Sequence, residues 1–242
     1  MLEKTTAIAL LSAGLFAFTG CSGDAGEGTV KVNTYGEAFI EEGIPAEEVG
    51  DGWAVTFNKF DVSITDITIG EQTLAGPYKV DVSQGTDGAG HEIGALTLPA
   101  GEYTSQSFGI ERVELSGIAT KDGQEKTFSW TFDAPVHYER CETTTAVEDG
   151  GVASFQVTIH ADHYLYDSLV SEEPQVLFQA LADSDVDGDG EITKEELEAT
   201  GIGAYDPGNE DVSNMWQWLV AQNATLGHVD GEGHCDAHTH GD

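Results

Sequence analysis

The sequence predicts an α+β protein in segregated parts, an antiparallel β-sandwich or a barrel followed by a small helical segment. Two observations lead to this prediction. From Thr29 to about Tyr166, short stretches of alternating apolar and polar residues are separated by Gly, Pro and Asp, a pattern typical of half-buried strands in antiparallel sheets. After Ser168 the apolar residues recur at helical spacing instead.

The predicted strands are short and numerous. Trp53-Val55-Phe57 and Phe60-Val62-Ile64 both alternate, but the phase slips by one residue between them, so we expect a bulge or a bend there. Phe155-Val157-Ile159 alternates in the same way, which directs His160 to the face opposite the core. Leu98–Tyr103 and Val80–Val82 resemble elements of uncharacterised exported bacterial sandwich domains, and this resemblance implies no activity.

Three helices are predicted after the strands. Ser171 is a suitable N-cap and Pro174 is tolerated in a first turn, so one helix is expected to begin there. A second helix is predicted from Lys194 to Thr200, where Gly201 follows, and a third from about Asp211. We interpret their apolar faces as core-facing.

The first 20 residues have the features of an export signal. The apolar run from Ala7 to Phe18 is too short to cross a bilayer as a helix. It ends in Phe18-Thr19-Gly20-Cys21, which resembles the lipobox of bacterial lipoproteins, where the peptide is cleaved before the Cys and the Cys is lipidated. The resemblance implies a lipid anchor at Cys21 in the cell envelope, and Ser22 implies the outer membrane if the cell is Gram-negative. An ordinary secretory signal is the alternative.

Two cysteines remain besides Cys21. Two thiols in an oxidising compartment usually form a disulfide, so we predict a bridge between Cys141 and Cys235. The alternatives are two free thiols or metal ligands.

The charge is strongly acidic, with 44 Asp and Glu against 9 Lys and Arg and a formal net charge of −35. Nucleic-acid binding requires clustered cations, so we exclude nucleic acid as a partner, and we expect membrane contact only through the N-terminal lipid. We also predict that the chain is not an enzyme, because it contains neither a GxSxG motif nor a Gly-rich phosphate loop.

Residues 185–196, DVDGDGEITKEE, have the spacing of a calcium-binding loop. Calcium prefers six to eight oxygen ligands, and acidic residues two positions apart can converge on it from one turn. Gly190 stands at position 6, where the bend is sharpest, and Ile192 stands at position 8, where it is expected to face a core. The expected calcium ligands are Asp185, Asp187, Asp189, Glu191 through its carbonyl, Thr193 through a water, and Glu196 with both carboxylate oxygens.

This loop and its predicted flanking helices, residues 171–200, resemble an EF-hand. The resemblance implies one calcium site. A structural clamp is favoured over a switch, because the segment from Tyr205 to Asp211 lacks the spacing of a second loop with which the first would pair. An acidic loop that matches by chance is the alternative.

The histidines support a second hypothesis, a copper or zinc site. His160 and His163 follow a predicted strand, and a Cys141–Cys235 bridge would carry His234 towards His137. Imidazoles with carboxylates suit copper or zinc better than calcium. Solvated loop histidines are the alternative.

The functional prediction is a lipid-anchored envelope protein that binds calcium through one EF-hand loop, with a sandwich that recognises a protein or a glycan. The alternative is an envelope protein that binds copper or zinc through the histidines. The expected organisation is a signal peptide (1–20), a flexible tether (21–28), the β-sandwich domain (29–168), the helical EF-hand segment (169–227) and a His-rich C-terminal tail (228–242).

Overall fold

Strands dominate the fold, as the alternating pattern predicts. The computed structural model describes residues 26–239, of which far more lie in strands than in helices. The strands are, in chain order, β1 (Glu27–Tyr35), β2 (Ala54–Ile69), β3 (Gln72–Leu74), β4 (Tyr78–Asp81), β5 (His91–Pro99), β6 (Gly101–Tyr103), β7 (Gln106–Lys121), β8 (Gln124–Phe132), β9 (Val136–Glu139), β10 (Thr145–Val147), β11 (Val152–Ile159), β12 (Glu191–Ile192), β13 (Gly227–Val229) and β14 (Asp236–Thr239).

One sheet contains four strands in the order β13-β11-β1-β5. In β1, Val30 and Val32 are buried and Lys31 between them is exposed, which is the period of two that a half-buried strand requires. Strand β1 runs antiparallel to β5 and parallel to β11. The sheets are therefore mixed, whereas alternation alone favoured a purely antiparallel arrangement.

The larger sheet has eight strands, and its main path is β12-β8-β7-β2-β3. Strand β4 pairs with β2, β9 pairs with β7, and β14 pairs with β9. The segments predicted as separate strands around Val55, Val62 and Ile67 form the single strand β2. Its pairing with β7 shifts register between Phe57 and Lys59, so the predicted bulge is confirmed.

Both sheets contribute to one hydrophobic core. Phe155 comes from the four-stranded sheet, Phe60 and Phe108 come from the larger sheet, and all three are fully buried. A further two-stranded sheet pairs β6 with β10. This arrangement is consistent with a β-rich sandwich, and no closed barrel is seen among residues 26–239.

The helices are short: α1 (Ala38–Glu41), α2 (Gln179–Ala182), α3 (Lys194–Ala199) and α4 (Met215–Gln222), with 3₁₀ turns at Asp162–Leu165 and Asn223–Thr225. The predicted helix start at Ser171 is wrong, because α2 begins eight residues later. The backbone N–H groups of Phe178 and Gln179 donate to the distant Asp51 carboxylate, at 2.8 and 2.6 Å. This carboxylate caps α2 in place of Ser171.

The segment predicted as a polar tail is part of the fold. Strand β13 pairs with β11, and β14 pairs with β9, so both ends of this segment extend sheets. Cys235 lies between the two strands, with its Sγ atom 2.08 Å from that of Cys141. This is the predicted disulfide pairing.

Candidate metal centres

The acidic loop folds around its own carboxylates. The Asp185 carboxylate accepts hydrogen bonds from the N–H groups of Gly188 and Gly190, at 2.8 and 3.0 Å. Gly190 has φ +94°, a conformation that residues with a Cβ rarely adopt. One carboxylate oxygen from each of Asp185, Asp187 and Glu196 lies within 4.8 Å of the other two. The loop therefore brings together three of the predicted calcium ligands.

The other three predicted ligands lie around this group. The Asp189 carboxylate accepts from the N–H of Glu191 at 2.8 Å, and the Glu191 side chain is exposed. The Thr193 side chain forms a capping box with Glu196 at the start of α3. Asp189 and Thr193 thus shape the loop by local hydrogen bonds.

The loop is docked on the edge of the larger sheet. Glu191 and Ile192 form β12, which pairs in parallel with Thr127 and Phe128 of β8. The indole N–H of Trp130 donates to the Ile192 carbonyl at 2.9 Å, and the Ile192 side chain is fully buried. Strand β8 thus holds the loop through backbone pairing, and the predicted core-facing role of Ile192 is confirmed.

A cation of the protein already contacts this loop. The ammonium group of Lys126 in β8 forms an ion pair with Asp185. Its hydrogen bond holds the pKa of Asp185 below its usual range, and the backbone N–H of Thr193 does the same for the pKa of Glu196. Both carboxylates are therefore ionised at neutral pH, as calcium ligands must be. Lys126 competes with any cation that binds the same oxygens.

Four histidines lie together near the C-terminal end of β11. His160 directly follows β11, His163 lies in the first 3₁₀ turn, His228 lies in β13, and His234 follows the turn after β13. The ring of His228 is 4.2 Å from that of His160, 5.2 Å from that of His163 and 4.9 Å from that of His234, measured between centroids. We call these residues the histidine cluster.

Three members of the cluster are buried. His160, His163 and His228 are 5 %, 8 % and 6 % exposed, whereas His234 is exposed. His160 is buried although the alternation of β11 directs it to the face opposite the core, because the rings of His163 and His228 pack against it. Burial of three polar rings side by side costs free energy unless their nitrogens have partners.

The nitrogens of the cluster are only partly satisfied. The His163 Nδ1–H donates to the Thr225 carbonyl at 2.6 Å, which leaves the Nε2 lone pair free. Among the described residues, His228 Nδ1 is buried and has no hydrogen-bond partner. The His160 ring contacts the Gly231 carbonyl and the Glu37 carboxylate, each at 3.4 Å. The buried Nδ1 of His228 and the Nε2 of His163 are thus available to a ligand.

The buried imidazoles are in the form that binds metals. Burial, together with the charge of the neighbouring His160, lowers the pKa of His163 to about 4 and the pKa of His228 to about 3. At neutral pH both rings are uncharged, so their lone pairs are free to coordinate a cation.

Carboxylates surround these uncharged rings. One ligand atom from each of His160, His228 and Glu232 lies within 4.8 Å of the others, and the same is true of His160, Asp162 and His163. Glu37 approaches from the end of β1, and burial raises its pKa. Among the described residues, Glu37, Asp162 and Glu232 form no ion pair with a Lys or an Arg. The cluster therefore has acidic groups without a cation of its own.

A cavity of about 530 Å³ opens beside the cluster. The residues that line it include His163, His228 and His234. Ser168, Ser171, Glu172 and the disulfide-bonded Cys235 also line it.

The predicted copper or zinc set is corrected by one residue. His137 lies in β9 opposite His238 of β14, and it does not join the cluster, because Tyr138 beside it faces the core and directs His137 to the outer face. His228 takes its place. Sequence reasoning missed His228, Glu37 and Glu232, since only tertiary contacts bring them to His160, and no local motif marks them.

Cys21 and the predicted signal peptide lie outside the described residues. In residues 26–239, no helix is both long enough and apolar enough to cross a membrane. Comparison with known proteins found no match to a protein family, to a curated protein or to a solved structure.

Proposed function

We propose that this chain is a metal-binding protein of the cell envelope that holds a copper or zinc ion at the histidine cluster. His160, His163 and His228 would supply the nitrogens, with Glu232 or Asp162 as an oxygen ligand and His234 at the exposed side. The geometry favours this over the calcium function that the sequence placed first. Calcium then has a structural role in the same molecule.

The unpartnered Nδ1 of His228 carries the proposal. A buried polar atom without a partner costs about 1 to 3 kcal/mol, and this one lies in an aromatic cluster with acids nearby. A cation bound there would use that lone pair and offset the charge of the uncompensated carboxylates.

The donor types select the metal class. The described cluster offers imidazole nitrogens and carboxylate oxygens, and the two nearest sulfurs are joined in the disulfide. Such a set suits divalent zinc or copper, whereas calcium prefers oxygens alone.

We propose calcium as the ligand of the acidic loop, where it would act as a clamp. The observation that favours a clamp is the docking of β12 on β8, since the loop then joins the helical segment to the larger sheet. A loop held by its backbone in this way has little freedom to act as a switch.

The remaining parts of the proposal concern location and partners. A lipid at Cys21 would keep the protein in the envelope, at the outer membrane of a Gram-negative cell. A sandwich arrangement of the two sheets, supported by their shared core, would leave outer faces for a protein or a glycan. We propose binding rather than catalysis as the function throughout.

Metal analysis of the purified mature protein tests the proposal. We expect about one equivalent of copper or zinc, and loss of that metal in His160→Ala/His228→Ala. The matched control is His137→Ala/His238→Ala, which removes two histidines outside the cluster and should keep the metal. Both variants should still bind calcium, which shows that they are folded. Wild-type protein without tightly bound copper or zinc after incubation with either metal would refute the histidine site.

A further inference from the structure

The cavity beside the histidine cluster has a directional arrangement of ligands. Among its lining residues, Glu172 and His234 are exposed, whereas His228 and His163 are buried. We propose that this cavity is the entrance through which a hydrated divalent cation reaches the cluster, and that Glu172 captures the cation at the rim. This inference rests on the proposed transition-metal site.

The size of the cavity fits a hydrated ion. A water molecule in the liquid occupies about 30 Å³, so the six waters of a hydrated cation require about 180 Å³. The cavity has about 530 Å³. A hydrated cation therefore fits inside without first losing its water, and dehydration can follow when it meets the histidines.

The charge of the cavity favours cations. Its described lining contains two carboxylates, Glu172 and Glu232, and neither a Lys nor an Arg. Hydroxyl groups of Ser168, Ser171 and Thr225 also line it, and hydroxyl oxygens can accept hydrogen bonds from coordinated water. A concave site lined by one sign of charge raises the local concentration of counter-ions and their rate of association.

The ligands succeed one another from the outside inward. His234 is exposed, and its ring centroid is 4.9 Å from that of His228. Only 6 % of His228 is exposed. The Nδ1 of His228 is the atom without a partner. A cation can thus exchange water for His234 first and for the buried nitrogens afterwards, so no step leaves it without ligands.

Glu172 has a matched control in the next residue. Glu173 is also exposed, but it does not line the cavity. Glu172→Lys and Glu173→Lys change the net charge equally, one position apart. A difference between them therefore reports the position of the carboxylate and not the total charge.

The test measures the rates of Cu²⁺ binding to the mature chain by stopped-flow tryptophan fluorescence, with calcium in excess to occupy the acidic loop. Dissociation is followed with a strong chelator. We expect Glu172→Lys to lower the association rate constant about five- to tenfold relative to Glu173→Lys at low salt. The dissociation rate constant should fall by a similar factor, because a cation leaves by the same route. The difference in rate constants between the two variants should shrink at about 1 M salt, where the Debye length is only about 3 Å.

Three outcomes contradict the inference in different ways. Equal rates in the two variants would show that Glu172 is not at an entrance. Faster dissociation with unchanged association in Glu172→Lys would make Glu172 a ligand of the bound ion instead. If the wild type binds no Cu²⁺ at equilibrium, the histidine site itself fails, and with it the function proposed above.

Discussion

At the scale of single residues, burial keeps His163 and His228 in the uncharged form that a metal requires of an imidazole. An exposed imidazole is partly protonated near pH 6.5, and protons then compete with metals for its lone pair. In the histidine cluster, burial penalises the charged forms of His163 and His228. Protons therefore compete for the lone pairs of these two rings only far below neutral pH. The same burial makes the metal-free protein sensitive to acid.

We predict that the metal-free protein loses stability as the pH falls from about 6.5 towards 4. The pKa values of His163 and His228 are about 4 and about 3 in the fold, so in this range protons bind the unfolded chain and not the folded one. Their contribution is complete above pH 6.5 and decreases below it, by at most about 1.4 kcal/mol per pH unit for each residue. Urea unfolding in EDTA at several pH values measures this slope.

The contribution of one histidine can be isolated. His228→Asn should remove about half of the slope between pH 4.5 and 6.5, whereas His238→Asn, at an exposed position, should leave it unchanged. A wild-type stability that is constant over this range would contradict the burial effect.

How far a site could be predicted depends on how local it is. Asp185, Asp187 and Glu196 lie within one short loop, so their spacing alone indicates their convergence. His228 meets His160 across a gap of 68 positions in the chain, and only the pairing of β13 with β11 brings them together. The predicted disulfide correctly indicated that His234 lies near the other histidines. The same disulfide led to the wrong inclusion of His137, because a covalent bridge does not determine which face of a strand a neighbouring residue occupies.

At the scale of elements, the pairing of β12 with β8 joins the acidic loop to the larger sheet. The strands were predictable because alternation is a local signal, and even the irregularity after Phe57 was visible in the sequence. The start of α2 was not, because its cap is the distant Asp51 and Ser171 offers a better local signal. The docking of β12 was likewise hidden, since a two-residue strand has no pattern of its own.

We predict that Ile192→Ala destabilises the protein by about 2 to 5 kcal/mol, the usual cost of such a truncation in a core. The loss of stability should be similar with calcium and with EDTA, because the packing of the Ile192 side chain in the core does not depend on a metal. Val186→Ala in the same loop is the control: Val186 is 69 % exposed, and its truncation should change stability by less than about 0.5 kcal/mol. Chemical denaturation of the three proteins measures these differences. If Ile192→Ala changes stability as little as Val186→Ala does, the loop is not docked on the core.

At the scale of the whole molecule, the acidic loop, the helical segment and both sheets share one core. The sequence suggested separate parts because its pattern changes after Ser168. Yet Ile192 and Trp218 pack in the same core as Phe60 and Phe155. Composition along the chain indicates which elements form, but not whether their apolar faces meet.

We therefore predict that calcium shifts a single unfolding transition of the whole protein. With an affinity near 0.1 mM, as in extracellular modules, about 1 mM calcium adds roughly 1.4 kcal/mol, or about 3 to 6 °C in Tm for a chain of this size. Glu196→Gln should abolish most of the shift, because it removes a charged ligand. Differential scanning calorimetry checks this.

Two resolved transitions, of which calcium moves only one, would show that the helical segment unfolds independently of the sheets. An equal calcium shift in wild type and Glu196→Gln would place the calcium elsewhere.

The docked loop also bears on how the molecule stays apart from its own copies. Strand β8 has β7 on one side, and among residues 26–239 only β12 pairs with its other side, at Thr127 and Phe128. A strand with free N–H and C=O groups on one side is a template for pairing with another chain. The loop and the ion pair of Lys126 with Asp185 keep part of that edge occupied and charged. The acidic loop therefore leaves less of this sheet edge open to pairing with another copy of the chain.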